Sequence, residues 1–214
     1  MSQGEQLQPS DSRRSPAGCF VVAVTAMVVF VTMLFLGGVL ATVLFPHLLE
    51  WNRPAGQEQP GIGGKLTRLE LVPLTGGGEV LTLDDLDGQV VLLSFLGTWN
   101  EPSREELLHI AAVGEKFQDR KDFTLLAVSC GRAVRTDPRQ LRLDTVSLLD
   151  EKGIRMATYA DPDHVSRLAV DEVVGFADYP TTLVLDRSGT VRGVWSGSAA
   201  EGEMEALIEK LLEK

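Results

Sequence analysis

Hydrophobic and polar positions divide the chain into three parts. From Cys19 to Phe45, 27 residues pass without one charge, and nearly all are apolar or small. At about 1.5 Å per residue such a run makes a helix of roughly 40 Å, more than the roughly 30 Å hydrocarbon core of a bilayer requires. A cleaved leader carries an apolar region of only about 7–15 residues, and no small-x-small site follows Leu36-Gly37-Gly38. One uncleaved transmembrane helix over 19–45 is therefore expected. Residues 1–18 are polar and have no apolar period, which predicts a disordered tail. Residues 46–64 are rich in Pro and Gly and predict a juxtamembrane linker, with Leu48, Leu49 and Trp51 placed for the membrane interface.

From Lys65 onward two apolar periods alternate, predicting one α/β domain over 65–214. Leu69–Val72 and Glu79–Leu83 flank Gly76-Gly77-Gly78 as an N-terminal β-hairpin. Val90–Leu96 is a continuous apolar run, as in a strand buried on both faces. Helical spacing follows, with Leu107, Ile110, Ala111, Gly114 and Phe117 on one face. Phe123–Ser129 predicts the next buried strand, 137–150 a helix, Arg155–Ala160 a short strand and 163–169 a short helix. Thr181–Asp186 and Thr190–Trp195 read as strands joined by the turn Arg187-Ser188-Gly189. The last helix opens on a capping box, Ser198-x-x-Glu201, ahead of Met204, Leu207, Ile208, Leu211 and Leu212. Strands alternating with helices imply right-handed parallel crossovers, with the final hairpin adding an antiparallel edge.

Charge sets orientation and excludes some partners. Arg13 and Arg14 precede the apolar run, while only Arg53 follows closely. That bias places the N-terminus in the cytoplasm and exports the C-terminal domain, giving a single-pass protein of the cytoplasmic (inner) membrane. Pro16-Ala17-Gly18-Cys19 is no lipoprotein box, because the apolar stretch follows the cysteine instead of preceding it. A net charge of −10 argues against nucleic acid as a partner. The two cysteines, Cys19 and Cys130, fall on opposite sides of this boundary and so form no disulfide framework.

The run 91–104 reads VVLLSFLGTWNEPS: a buried strand feeding Trp99-Asn100-Glu101-Pro102-Ser103 at the start of a helix. This frame resembles the Trp-Cys-x-Pro-Cys motif of membrane-anchored thioredoxin-like proteins of the TlpA/ResA type, within the wider redoxin group. Three further stretches carry the resemblance: Asp87–Leu93, Tyr179-Pro180-Thr181-Thr182 and Asp186–Gly189. It implies a thioredoxin-like fold over about residues 65–214 and a thiol-disulfide oxidoreductase ancestry. It also implies a cis peptide at Tyr179–Pro180 and a peptide-binding groove built from Trp99, Asn100, Ser103, Tyr179, Pro180 and Thr181. Asn100 and Ser103 stand at the two cysteine positions, and neither forms a disulfide or a thiolate. Asn100 is a good helix N-cap, and Glu101 suits the positive end of the helix.

The expected function is thus a non-catalytic binding or scaffold module of the cell envelope that takes protein or extended peptide as its partner. The alternative is a thiol-disulfide oxidoreductase acting through the single thiol of Cys130, at the carboxyl end of a parallel strand and followed by Gly131 and Arg132. Against it stands the usual role of such a cysteine as a small buried hydrophobe. Peroxidase chemistry is not expected, since the loop that would carry a peroxidatic cysteine is absent and Ser103 holds the matching place. His47, His109 and His164 are scattered, no Cys/His spacing supports zinc, and no cofactor is implied. Asp150, Glu151, Asp161 and Asp163 read as solvated loop or helix-end carboxylates.

Overall fold

The computed structural model describes residues 27, 29–34, 56–132, 136–200 and 202–213. The chain divides into two compact units, Met1–Arg53 and Pro54–Lys214. Most of the expected span 19–45 lies outside the described residues, as does the tail. Its described part, residues 27 and 29–34, is helical with exposed side chains. Among the described residues no helix is long and apolar enough to cross a membrane.

In the second unit the strands are β1 (Glu70–Thr75), β2 (Leu81–Thr82), β3 (Val90–Gly97), β4 (Phe123–Cys130), β5 (Thr158–Ala160), β6 (Thr181–Leu185) and β7 (Val191–Ser196). The helices are α1 (Glu101–Phe117), α2 (Pro138–Lys152), α3 (Val165–Val174) and α4 (Glu203–Leu212). One seven-stranded sheet runs in the order β2-β1-β5-β4-β3-β6-β7. β3, β4 and β5 are parallel, joined through α1 and α2; β6 and β7 are antiparallel, as is β1 to both β2 and β5. The element order matches the one the periodicities predict.

The continuous apolar run of β3 is explained by helices on both faces of the sheet. Val90, Leu92 and Leu96 pack with Leu107 and Ile110 of α1 and Met204, Leu207 and Ile208 of α4. Val91, Leu93 and Phe95 point the other way, toward Leu66, Leu71 and Ala169 and Val170 of α3. Burying each large side chain of this kind contributes about 1.5–3 kcal/mol. The polar exception in the strand, Ser94, is fully buried and shares a 2.7 Å hydroxyl hydrogen bond with Thr182 of β6, as a buried hydroxyl requires.

Several local expectations need correction. α1 buries Val113, whereas Ala111 and Gly114 are half-buried on its flank; a Cβ at Gly114 would lie 2.5 Å from Leu125 Cδ2. β5 is confined to three residues, and α3 extends to Val174. α4 begins at Glu203, with Gly202 before it in a left-handed conformation and no side-chain cap, so Ser198 does not open this helix; Glu201 lies outside the described residues.

The second half of the expected linker belongs to the domain. Gly56–Glu58 forms a turn of 3₁₀ helix whose Gly56 is buried against Trp195, and a Cβ there would sit 2.1 Å from the indole. The Glu203 carboxylate ties this turn down, accepting from the Gly56 N–H at 2.8 Å and from Trp195 Nε1 at 2.9 Å. Gly63 N–H then donates to the Val191 carbonyl at 2.9 Å, adding backbone to the edge of β7.

Candidate functional site

The frame Trp99–Ser103 sits where β3 ends and α1 begins. Asn100 is the N-cap of α1, its Oδ1 accepting from the Ser103 N–H at 2.9 Å, with Pro102 in the first turn. Pro is tolerated there because the first turn has no use for its missing N–H. Ser103 is 1% exposed, and its Oγ accepts from the Gly97 N–H at 3.1 Å, fastening the helix start to the strand end.

The Tyr179–Pro180 bond is cis. The loop before it is tied by Asp178, which accepts from the Tyr179 N–H at 2.7 Å and, through its carbonyl, from Thr181 Oγ1 at 2.6 Å. Trp99 meets Tyr179 edge-on, with centroids 5.9 Å apart, and Tyr179 meets Phe176 at 5.3 Å. Phe176 in turn stands at right angles to the buried Phe95, at 5.4 Å. Two guanidiniums complete the stack: Arg132 lies 5.2 Å over Trp99, and Arg167 lies 5.8 and 5.7 Å over Phe176 and Tyr179.

The structure therefore brings the six expected groove residues together but does not present all of them. Trp99 is exposed and Asn100 and Tyr179 are half-buried, while Ser103, Pro180 and Thr181 are buried. What reaches the surface is the Trp99–Tyr179 edge, flanked by the exposed Arg132.

Cys130 lies behind this edge, opposite Gly97 across the β3–β4 pair. It is 2% exposed, a free thiol. Burial pushes its pKa up to about 11, against the opposing pull of Arg167 and of a hydrogen bond from Tyr179. Arg132, the cation expected to favour its thiolate, is committed to Trp99 instead. The guanidinium that reaches the sulfur is Arg167, whose Nη2 is 3.7 Å from Sγ. This contact spans 37 positions of sequence, so local spacing could not reveal it.

One of the carboxylates expected in solvent is structural instead. Asp161 is 5% exposed and accepts from the N–H groups of Ser166 at 3.2 Å and Arg167 at 2.8 Å, capping α3 from outside it. Glu151 is exposed, as expected, and receives two hydrogen bonds from Arg104 Nη2, at 2.6 and 2.8 Å, which hold its carboxyl below the usual range.

A buried acid was missed altogether. Glu106, three residues after Ser103 on α1, is 2% exposed. Its Oε2 lies 3.9 Å from His109 Nδ1, and His109 Nε2 lies 3.4 Å from Glu205 Oε1 of α4. Burial raises the Glu106 pKa more than His109 and the Ala199 N–H lower it, and Oε1 has no hydrogen-bond partner among the described residues. A carboxyl whose pKa is raised on folding leaves its cost at high pH: stability is full below the unfolded value and falls as pH rises through the folded one. Glu106→Gln is therefore expected to stabilise the protein by about 1 kcal/mol at neutral pH, with the gain shrinking toward pH 4. Thermal unfolding of the full chain across that range tests this; a gain that grows on acidification would contradict it.

With the geometry in hand, the relatives are informative. The AhpC/TSA family matches residues 62–194. A thioredoxin-like protein, YneN, of Bacillus subtilis is 30% identical over 142 residues, covering 63% of this chain and 72% of its own. The thiol-disulfide oxidoreductase ResA of Bacillus anthracis is 20% identical over 181 residues, covering 85% and 93%. Among solved structures, a putative thiol:disulfide interchange protein DsbE from Chlorobium tepidum aligns with a TM-score of 0.55 at 24% identity, over 71% of this chain and 97% of that one. The domain thus has the thioredoxin-like α/β fold, and the chain belongs to the AhpC/TSA redoxin family, homologous to the thiol-disulfide oxidoreductases of the ResA/TlpA type.

Proposed function

We propose that this is a membrane-anchored, exported thioredoxin-like module that has lost the family's dithiol and binds extended protein segments in the cell envelope without exchanging disulfides. The observation that carries the reading is the pair Asn100 and Ser103. They occupy the N-cap and third positions of the helix that follows the central strand, and both are used in hydrogen bonds that hold the helix start. Where a relative would present sulfur, this chain presents a cap. Beside it the Trp99–Tyr179 edge offers apolar area and a flanking cation to a peptide in extended form.

Thiol exchange through Cys130 alone is the competing reading. The thiolate is the nucleophile in such exchange, and a sulfur 2% exposed with a pKa near 11 supplies almost none at neutral pH. Proximity to Arg167 does not reverse that balance. Anchorage is supported by the uncharged run 19–45, and export by Arg13 and Arg14 ahead of it. Alkaline phosphatase fused after Lys214 is expected to be active and membrane-bound; a silent phosphatase with a bright fluorescent-protein fusion would reverse the orientation.

Binding is tested with the full chain and a fluorescent, carboxymethylated insulin B chain, an extended peptide without free thiols. Saturable anisotropy is expected, weakened at least tenfold by Trp99→Ala, since aromatic anchors dominate such interfaces. Binding that is absent, or indifferent to both Trp99→Ala and Tyr179→Ala, would overturn the groove.

A further inference from the structure

A second concavity opens on the other side of Cys130. It is a cleft of about 320 Å³ at the carboxyl ends of β4 and β5, between the first turns of α2 and α3. This is the sheet edge where open α/β folds place ligands, and the volume is within the roughly 300–1,000 Å³ usual for small-molecule sites. Its walls are apolar, formed by Val72 and Leu74 of β1, Leu141 of α2 and Ala160 of β5. Its charge is not that of the chain around it. Arg139, Arg142 and Arg167 line it against one carboxylate, Asp161, in a protein of net charge −10.

That carboxylate is already used. Both Asp161 oxygens accept backbone N–H groups at the start of α3. Arg139 and Arg142 are exposed and have no ion pair among the described residues. Arg167 Nε is buried without a hydrogen-bond partner among the described residues, although Nη2 of the same guanidinium touches Cys130 Sγ. Asp137, the N-cap of α2, is committed to the Arg139 N–H at 2.9 Å. The cleft is left with unmet positive charge over an apolar floor.

We propose that this cleft binds a small organic anion with a carboxylate head and an apolar body. The head is held by Arg139 and Arg142 at the rim, with the buried Arg167 Nε behind them, and the body lies against Val72, Leu74 and Leu141. A guanidinium fork suits a carboxylate because it donates two parallel hydrogen bonds. The site is separate in place from the Trp99–Tyr179 groove, but Arg167 belongs to both, so ligand in the cleft contacts the side chain that supports Tyr179.

Calorimetric titration of the full chain with benzoate, benzamide and inorganic phosphate tests this. Benzoate is expected to bind saturably, with benzamide at least tenfold weaker and phosphate weaker still. The surface variant Arg139→Gln/Arg142→Gln is expected to lower benzoate affinity at least tenfold. Equal binding of benzamide would show a merely apolar cleft, and phosphate as tight as benzoate would show a plain anion site. Either result, or an unchanged affinity in the double variant, would overturn the proposal, and the comparison of the three probes needs no variant to fold.

Discussion

Phe95→Ala is expected to cost about 3–5 kcal/mol of stability, the usual range for an aromatic side chain removed from a packed core. Phe95 is fully buried near the end of β3 and supports Phe176 through a right-angled ring contact at 5.4 Å. Its loss leaves a cavity between β3 and the α3 layer, which Leu66 and Val170 of α3 close only if their own backbone moves. The damage is expected to travel outward, because Phe176 holds Tyr179 and Tyr179 holds Trp99. Urea unfolding of the full chain should therefore show a lower midpoint at unchanged slope, together with weaker peptide binding. A loss below about 1 kcal/mol would mean the site collapses without strain and does not underpin the groove.

The strand–helix order was legible because burial imposes periods that sequence displays directly. Val90–Leu96 has no polar face since α1 and α4 cover one side of it and α3 the other, so a run apolar but for Ser94 was the right signal. The site frame was legible for a different reason: Asn100 and Pro102 carry local conformational preferences that set a helix start whatever surrounds them.

What escaped was determined at long range. Glu106 looks like one more solvated helix carboxylate, and only the arrival of α4 from 99 positions away, with Glu205 facing His109, buries it. Asp161 reads as a loop acid because its partners are the N–H groups of a helix that begins after it. Arg167, the cation at Cys130, lies in a helix whose packing no spacing from Cys130 encodes. Residues 56–64 have linker composition, yet they are held by Glu203 and the edge of β7, since glycine permits close approach as readily as it permits freedom. The expected start of α4 failed because Ser198 and Glu201 match a capping box in spacing while the backbone turns at Gly202 instead.

The larger functional effect is expected from Asn100→Cys/Ser103→Cys. Both positions lie on the first turn of α1, already bridged by the 2.9 Å hydrogen bond from the Ser103 N–H to Asn100 Oδ1. Cysteine at the cap position gains from the helix N-terminus, which favours a thiolate. Glu101 works against it, although Arg104, 3.2 Å from Glu101, offsets part of that charge. Removing the Asn100 cap costs about 1 kcal/mol. The variant should form an intramolecular disulfide on oxidation. In its dithiol form it should reduce insulin, passing two electrons to an insulin disulfide and ending as the disulfide, to be recharged by dithiothreitol.

The same assay on the unaltered full chain bears most directly on the claim that this redoxin binds without thiol chemistry. Insulin reduction by the wild type should not rise above the dithiothreitol background and should not change in Cys130→Ser, while Asn100→Cys/Ser103→Cys turns over. Wild-type turnover that Cys130→Ser abolishes would contradict the claim outright.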